Sequence, residues 1–118
     1  MAENLWRGYS KCWSIADAAQ RIKRLGTVAE NDVIYRDPYS SCSGIDELSE
    51  YMAGFQAGFP GAKFVIKTVQ RHHDCILAHW DLVLANGHVL HDGRSFAKLG
   101  PQGKLQDITG FFDVAKQD

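Results

Sequence analysis

From Ala62 onward the spacing of apolar residues changes from a helical period to a strand period, and this constrains the fold more than any other feature. The segments KFVIKTVQRH (63–72), CILAHWDLVLA (75–85), HVLHDGRSFAKL (88–99) and KLQDITGFFDV (104–114) are rich in branched and aromatic residues, which suit a pleated, half-buried backbone. HHD, NGH and GPQG separate them. Such short breaks turn each strand back on the last, so the pattern predicts four strands in hairpin succession, an antiparallel meander.

A meander needs a cover on one face, and the first half of the chain supplies amphipathic helices. In SIADAAQRIKRLG (14–26), Ser14 followed three residues later by Asp17 resembles a capping box. Ile15, Ala18, Ala19, Ile22 and Leu25 share one helical face, and Gly26 is the expected stop. A second helix is predicted over IDELSEYMAGFQAGF (45–59), where Ile45, Leu48, Met52, Phe55 and Phe59 recur before Pro60 and Gly61. Helices first and strands afterwards indicate an α+β class, with N-terminal helices packed on a curved, mainly antiparallel sheet. At 118 residues with 45% hydrophobic and 23% charged, the chain suits a single domain, residues 1–118, with its own core.

Charge and motifs exclude several functions. The formal net charge is -1 and the lysines and arginines are scattered, so no basic field exists for nucleic acid. Cys12, Cys42 and Cys75 are widely spaced and form no CxxC, which points to a reducing cytoplasm. The first residues, MAENLWRGYSK, lack the apolar stretch of a secretion signal, and no apolar run is long enough to span a membrane. The five histidines show no HxH or HExxH spacing, so no metal is expected, and His72, His73 and Asp74 read as a turn. GFPG and GPQG are turns that open no helix, so no phosphate cradle and no cofactor is predicted.

DVIYRDPYS (32–40) poses the functional question, because it ends a short apolar run on Asp37 followed by proline. Asp-Pro commonly starts a turn. Proline also holds its preceding residue extended and so fixes where a carboxylate points.

Helix, short strand, YRDP, helix and four strands ending in GKLQDITGFFD resemble the NTF2-like superfamily, within it the SnoaL-like and ketosteroid isomerase-like proteins, over residues 13–113. The resemblance implies a sheet wrapped into a cone around an apolar pocket for a small hydrophobic or aromatic molecule. It implies Trp13, Tyr35, Phe55, Phe59, His91, Ser95 and Phe112 as ligand-binding residues. It also sets Asp37 where the isomerases carry a general base, at an apolar wall where desolvation raises basicity. Ketosteroid isomerase is a standard example of this pattern. Ser95 falls where the isomerases keep an oxyanion-stabilising acid. Trp13 is nearest to the place of that acid's tyrosine partner, with Tyr9 one turn earlier, and both departures weigh against steroid isomerisation.

The segment ILAHWDLVL presents Ile76, Ala78, Trp80, Leu82 and Leu84 on one face and Leu77, His79, Asp81 and Val83 on the other. Simple alternation buries the apolar face. The limonene epoxide hydrolases, which this strand resembles in spacing, set an arginine and an aspartate two apart on the pocket face. That likeness implies His79 and Asp81 inside, forming with Asp37 a catalytic set, although the remaining aspartate of that family falls at Gly110. Inward histidine and aspartate would leave Ile76, Trp80, Leu82 and Phe96 outside, as the patch of a homodimer centred on Trp80. The resulting expectation is an isomerase, cyclase or lyase that moves a proton next to a carbonyl. The alternatives are a non-catalytic ligand-binding or dimerisation module and an epoxide hydrolase.

Overall fold

In the computed structural model, which describes residues 2–114, helix α1 (Ala2–Lys11) runs into a single 3-10 turn, Cys12–Ser14, and then α2 (Ala18–Val28). A hairpin of β1 (Ala29–Asp37) and β2 (Ser40–Ser43) leads to α3 (Ile45–Gly58). β3 (Lys63–His72), β4 (Cys75–Val83), β5 (Val89–Leu99) and β6 (Leu105–Phe111) are the remaining elements among the described residues. Three helices thus pack on one six-stranded sheet of order β2-β1-β6-β5-β4-β3. β1 lies parallel to β6 and every other pair is antiparallel. The meander therefore forms where the strand period predicts it. Register shifts at Ile66/Thr68, Leu82/Val83 and Lys98/Leu99 are bulge-like irregularities of the kind that bend and twist a sheet. No helix among the described residues is long and apolar enough to cross a membrane.

Helix α1 was not anticipated, yet Trp6, Tyr9 and Trp13 stand three and four residues apart, one helical face. All three are buried. The helix over 14–26 needs correction in both ends and face. It starts at Ala18, with Asp17 at the N-cap but no side-chain capping bond, and it passes Gly26 to end at Val28. Arg21, Leu25 and Val28 are its buried residues, while Ile22 is 38% exposed. The reason is Arg21, whose guanidinium donates to Ser49 Oγ at 2.8 Å and to the Ile15 carbonyl at 2.7 Å. A buried cation is tolerable when its donors are satisfied, and this one tethers α2 to α3. Helix α3 follows its predicted bounds closely, burying Ile45, Leu48 and Met52.

The second correction is the face of β4. Ile76, Ala78, Trp80 and Leu82 are buried on the helix-covered side, whereas His79 and Asp81 are partly exposed on the outer side. Simple alternation prevails because the polar pair finds partners outside. His79 Nε2 lies 2.9 Å from Asp92 Oδ2 on β5, and Lys67 Nζ lies 3.9 Å from Asp81 Oδ1. Trp80 instead packs edge-on against Phe64, ring centroids 5.0 Å apart. A dimer contact centred on Trp80, Ile76 and Leu82 is therefore incompatible with this strand, and Phe96 alone of the expected patch stays exposed.

Candidate functional site

Alternation along β1 turns Val33, Tyr35 and Asp37 toward the helices. The chain then reverses at Pro38 and Tyr39 to pair Asp37 with Ser40. Asp37 Oδ1 accepts the backbone N–H of Tyr39 at 2.8 Å and of Ser40 at 3.0 Å, which makes it the side-chain cap of its own turn. Both meanings of Asp-Pro are thus present in one residue. The same carboxylate also accepts two phenols: Tyr35 donates to Oδ2 at 2.6 Å, and Tyr51 on α3 donates to Oδ2 at 2.8 Å. Burial pushes the Tyr35 and Tyr51 hydroxyls well above the ordinary tyrosine range, and the hydrogen bond each gives Asp37 adds to the rise. Tyr9, buried close by, is raised by burial as well. Around Asp37 the protein keeps three phenols protonated.

Trp13 is the hub of the aromatic wall. Its ring lies between 5.4 and 5.9 Å, centroid to centroid, from Tyr35, Tyr51, Phe55 and Phe64. Gln56 fixes the turn that carries it by donating to the carbonyls of Trp13 and Ile15. Opposite, the Trp80 indole lies across Gly93 and donates from Nε1 to Ser95 Oγ at 3.0 Å. A Cβ at position 93 would sit 2.4 Å from that indole, so only glycine lets the ring lie there. His91 stacks on Phe112, centroids 5.1 Å apart and planes at 15°, and Tyr39 lies 5.6 Å from Phe112.

These walls enclose a half-open cavity of about 780 Å³. Asp37, Trp13, Tyr35, Phe55, Phe59, His91, Ser95 and Phe112 all border it. His79 and Asp81 do not, so the expected trio with Asp37 is not assembled. Gly110 also borders the space, where a Cβ would stand 3.6 Å from Asp37 and 3.9 Å from Ser95 Oγ. A carboxylate is lacking at that point, and the gap leaves Asp37 and Ser95 facing a common volume. Sequence reasoning missed Trp6, Tyr51, Phe64 and Trp80 as wall residues. Tyr51 was within reach of it, since Leu48, Tyr51 and Phe55 continue one helical stripe. His73 lies in the β3–β4 turn with φ 52°, far in sequence and element from the cavity.

A family model for the SnoaL-like domain matches residues 7–113. No curated protein matches the chain. Among solved structures, a candidate isomerase of the SnoaL-like family from Agrobacterium tumefaciens superposes with a TM-score of 0.89 at 22% identity, covering 96% of this chain and 97% of that one. A protein with a ketosteroid isomerase-like fold from Catenulispora acidiphila, in complex with trimethylamine, reaches 0.78 at 13% identity, over 97% and 88%. A candidate SnoaL-like polyketide cyclase from Jannaschia reaches 0.73 at 16% identity, over 94% and 83%. At these identities the structural likeness speaks for the fold.

Proposed function

Since the chain belongs to the SnoaL-like domain family, we propose that its cavity receives a small, largely apolar molecule on which Asp37 moves a proton next to a carbonyl, as an isomerase, cyclase or lyase does. The observation that carries this reading is the pairing of Asp37 with Tyr35 and Tyr51 at the edge of an aromatic cavity. Both carboxylate oxygens already accept hydrogen bonds, so the proton travels by relay. The substrate C–H bond breaks as Tyr51 Oη gains that proton, and the phenol's own proton passes 2.8 Å to Asp37 Oδ2. Charge then develops on the substrate oxygen. Ser95, whose oxygen accepts from Trp80, keeps its own hydrogen free to donate there, an ordinary neutral donor in an apolar site. Family relatives described as a candidate isomerase and a candidate polyketide cyclase accord with such chemistry, and the trimethylamine complex of a third accords with a small-molecule pocket.

The saturated carboxylate favours a second reading, a non-catalytic binding module in which Asp37 is only a turn cap. An epoxide-opening reaction has lost its support, because His79 and Asp81 lie outside and position 110 is glycine. Deuterium exchange separates the first two. Aryl ketones that bind, 1-tetralone among them, are incubated with protein in D₂O and followed by NMR. Asp37→Asn is expected to slow protein-dependent exchange beside the carbonyl by about 100-fold or more. Bound ketones that exchange no faster than in buffer establish the binding module instead. We also assign the protein to the cytoplasm, on its three unbridged cysteines, and to a homodimer formed through the outer face of the sheet.

A further inference from the structure

Apart from His91, the ionisable groups around the cavity carry charge of one sign. Asp37, Glu50 and Asp113 border it, and no lysine or arginine does among the described residues, although the whole chain carries 13 basic against 14 acidic side chains. Arg7, Lys11 and Lys63 border instead a smaller neighbouring hollow of about 310 Å³ between α1 and β3. No described ion pair involves Asp37. Its carboxylate is held by uncharged donors alone, so its charge is oriented without being cancelled.

The aromatic wall adds to this field. Tyr51, Trp13, Phe64, Trp80, Phe112 and Tyr39 follow one another round the cavity with centroids 5.0 to 6.2 Å apart. Asp37 closes the circuit, bonded to Tyr51 at one end and to the Tyr39 backbone at the other. Aromatic faces carry the negative part of the ring quadrupole, and indole presents the strongest face of all to a cation. An anion would meet repulsion from the carboxylates, and a neutral apolar molecule would leave their charge unbalanced. We propose that the cavity is built for an organic cation, an amine or quaternary ammonium group carried on an apolar body, with Asp37 as its counter-charge. The volume of about 780 Å³ is far larger than a small alkylammonium head needs, which leaves room for that body among the phenylalanines. This inference rests on the reading of the cavity as the ligand site and holds whether or not chemistry follows.

Trp6, Trp13 and Trp80 are all the tryptophans of the chain, and all three border the cavity, so intrinsic fluorescence reports occupancy directly. Three probes of similar shape separate the cases: benzyltrimethylammonium, its neutral carbon isostere neopentylbenzene, and the anion 3-phenylpropionate. The cation is expected to bind at least about 10-fold tighter than the isostere, a difference of about 1.4 kcal/mol. Asp37→Asn keeps a side-chain acceptor for the turn, and Glu50→Gln changes an exposed residue. Each should weaken the cation several-fold, Glu50→Gln without changing the isostere and Asp37→Asn with a smaller effect on the isostere than on the cation. Equal or tighter binding of neopentylbenzene or phenylpropionate overturns the cation assignment while the pocket stands. If none of the three perturbs the tryptophans, the pocket reading falls and takes this inference with it.

Discussion

A carboxylate that caps its own turn and also anchors two phenols from different elements cannot be moved without moving the site. Asp37 fixes Tyr35 from the same strand and Tyr51 from α3, and this is how a local turn preference becomes a distant positioning device. The buried phenols have a measurable signature. Their ionisation in the folded state lies above the unfolded value of about 10, so their contribution to stability is fully present below that value and is lost as pH rises toward the folded one. Tyr9, Tyr35 and Tyr51 should therefore ionise only as the fold gives way, in a single cooperative step seen by ultraviolet titration together with far-ultraviolet circular dichroism. Ionisation of more than the one exposed tyrosine, Tyr39, while the dichroism is unchanged would show that the other phenols are not enclosed. The proline flags Asp37 and the stripe of Leu48 and Phe55 flags Tyr51 as a wall residue, but nothing local tells that this member of the stripe meets a carboxylate fourteen residues away.

At the scale of elements, the legible parts were those governed by period. β3 spans the residues its pattern marks, and α3 ends at its Phe-Pro-Gly stop. The face of β4 was misread because likeness to an enzyme strand was set above alternation, although Trp80 brings more apolar surface to bury than His79 or Asp81 brings polar function. What alternation could not reveal is the contact between Trp80 and β5, which depends on the register that sets Gly93 directly opposite. Gly93→Ala tests that contact. The added methyl meets the indole and the Phe111 carbonyl, so the ring must tilt and release Ser95. Overpacking of this kind costs about 1–3 kcal/mol, to be read as a lower melting temperature with a red-shifted tryptophan emission. A variant with unchanged melting and emission would mean that Trp80 does not rest on this glycine in solution.

For the whole molecule, the proposed assembly rests on the outer face of the sheet. With Trp80 inside, the proposed homodimer depends on different residues from those the sequence suggested. Leu77 and Phe96 stand directly opposite each other on β4 and β5, and both remain about two-fifths exposed, at 40% and 41%. Phe111, 62% exposed, is paired with Arg94 in the next row, and Val65 on β3 is 42% exposed. The pair His79 and Asp92 shares this face with Arg94, so apolar contacts alternate with polar ones, as in the core and rim of an ordinary interface. A two-fold axis near Phe96 would let the same patch serve both copies. Wild-type protein should then sediment as a dimer and Phe96→Glu as a monomer, since the new charge would be buried unpaired. Because Phe96 is exposed in the single chain, that variant should keep its melting temperature as a monomer to within about 1 kcal/mol of stability. Wild-type protein that stays monomeric at high concentration would remove the outer-face dimer. A dimer that persists in Phe96→Glu would move the contact to another surface.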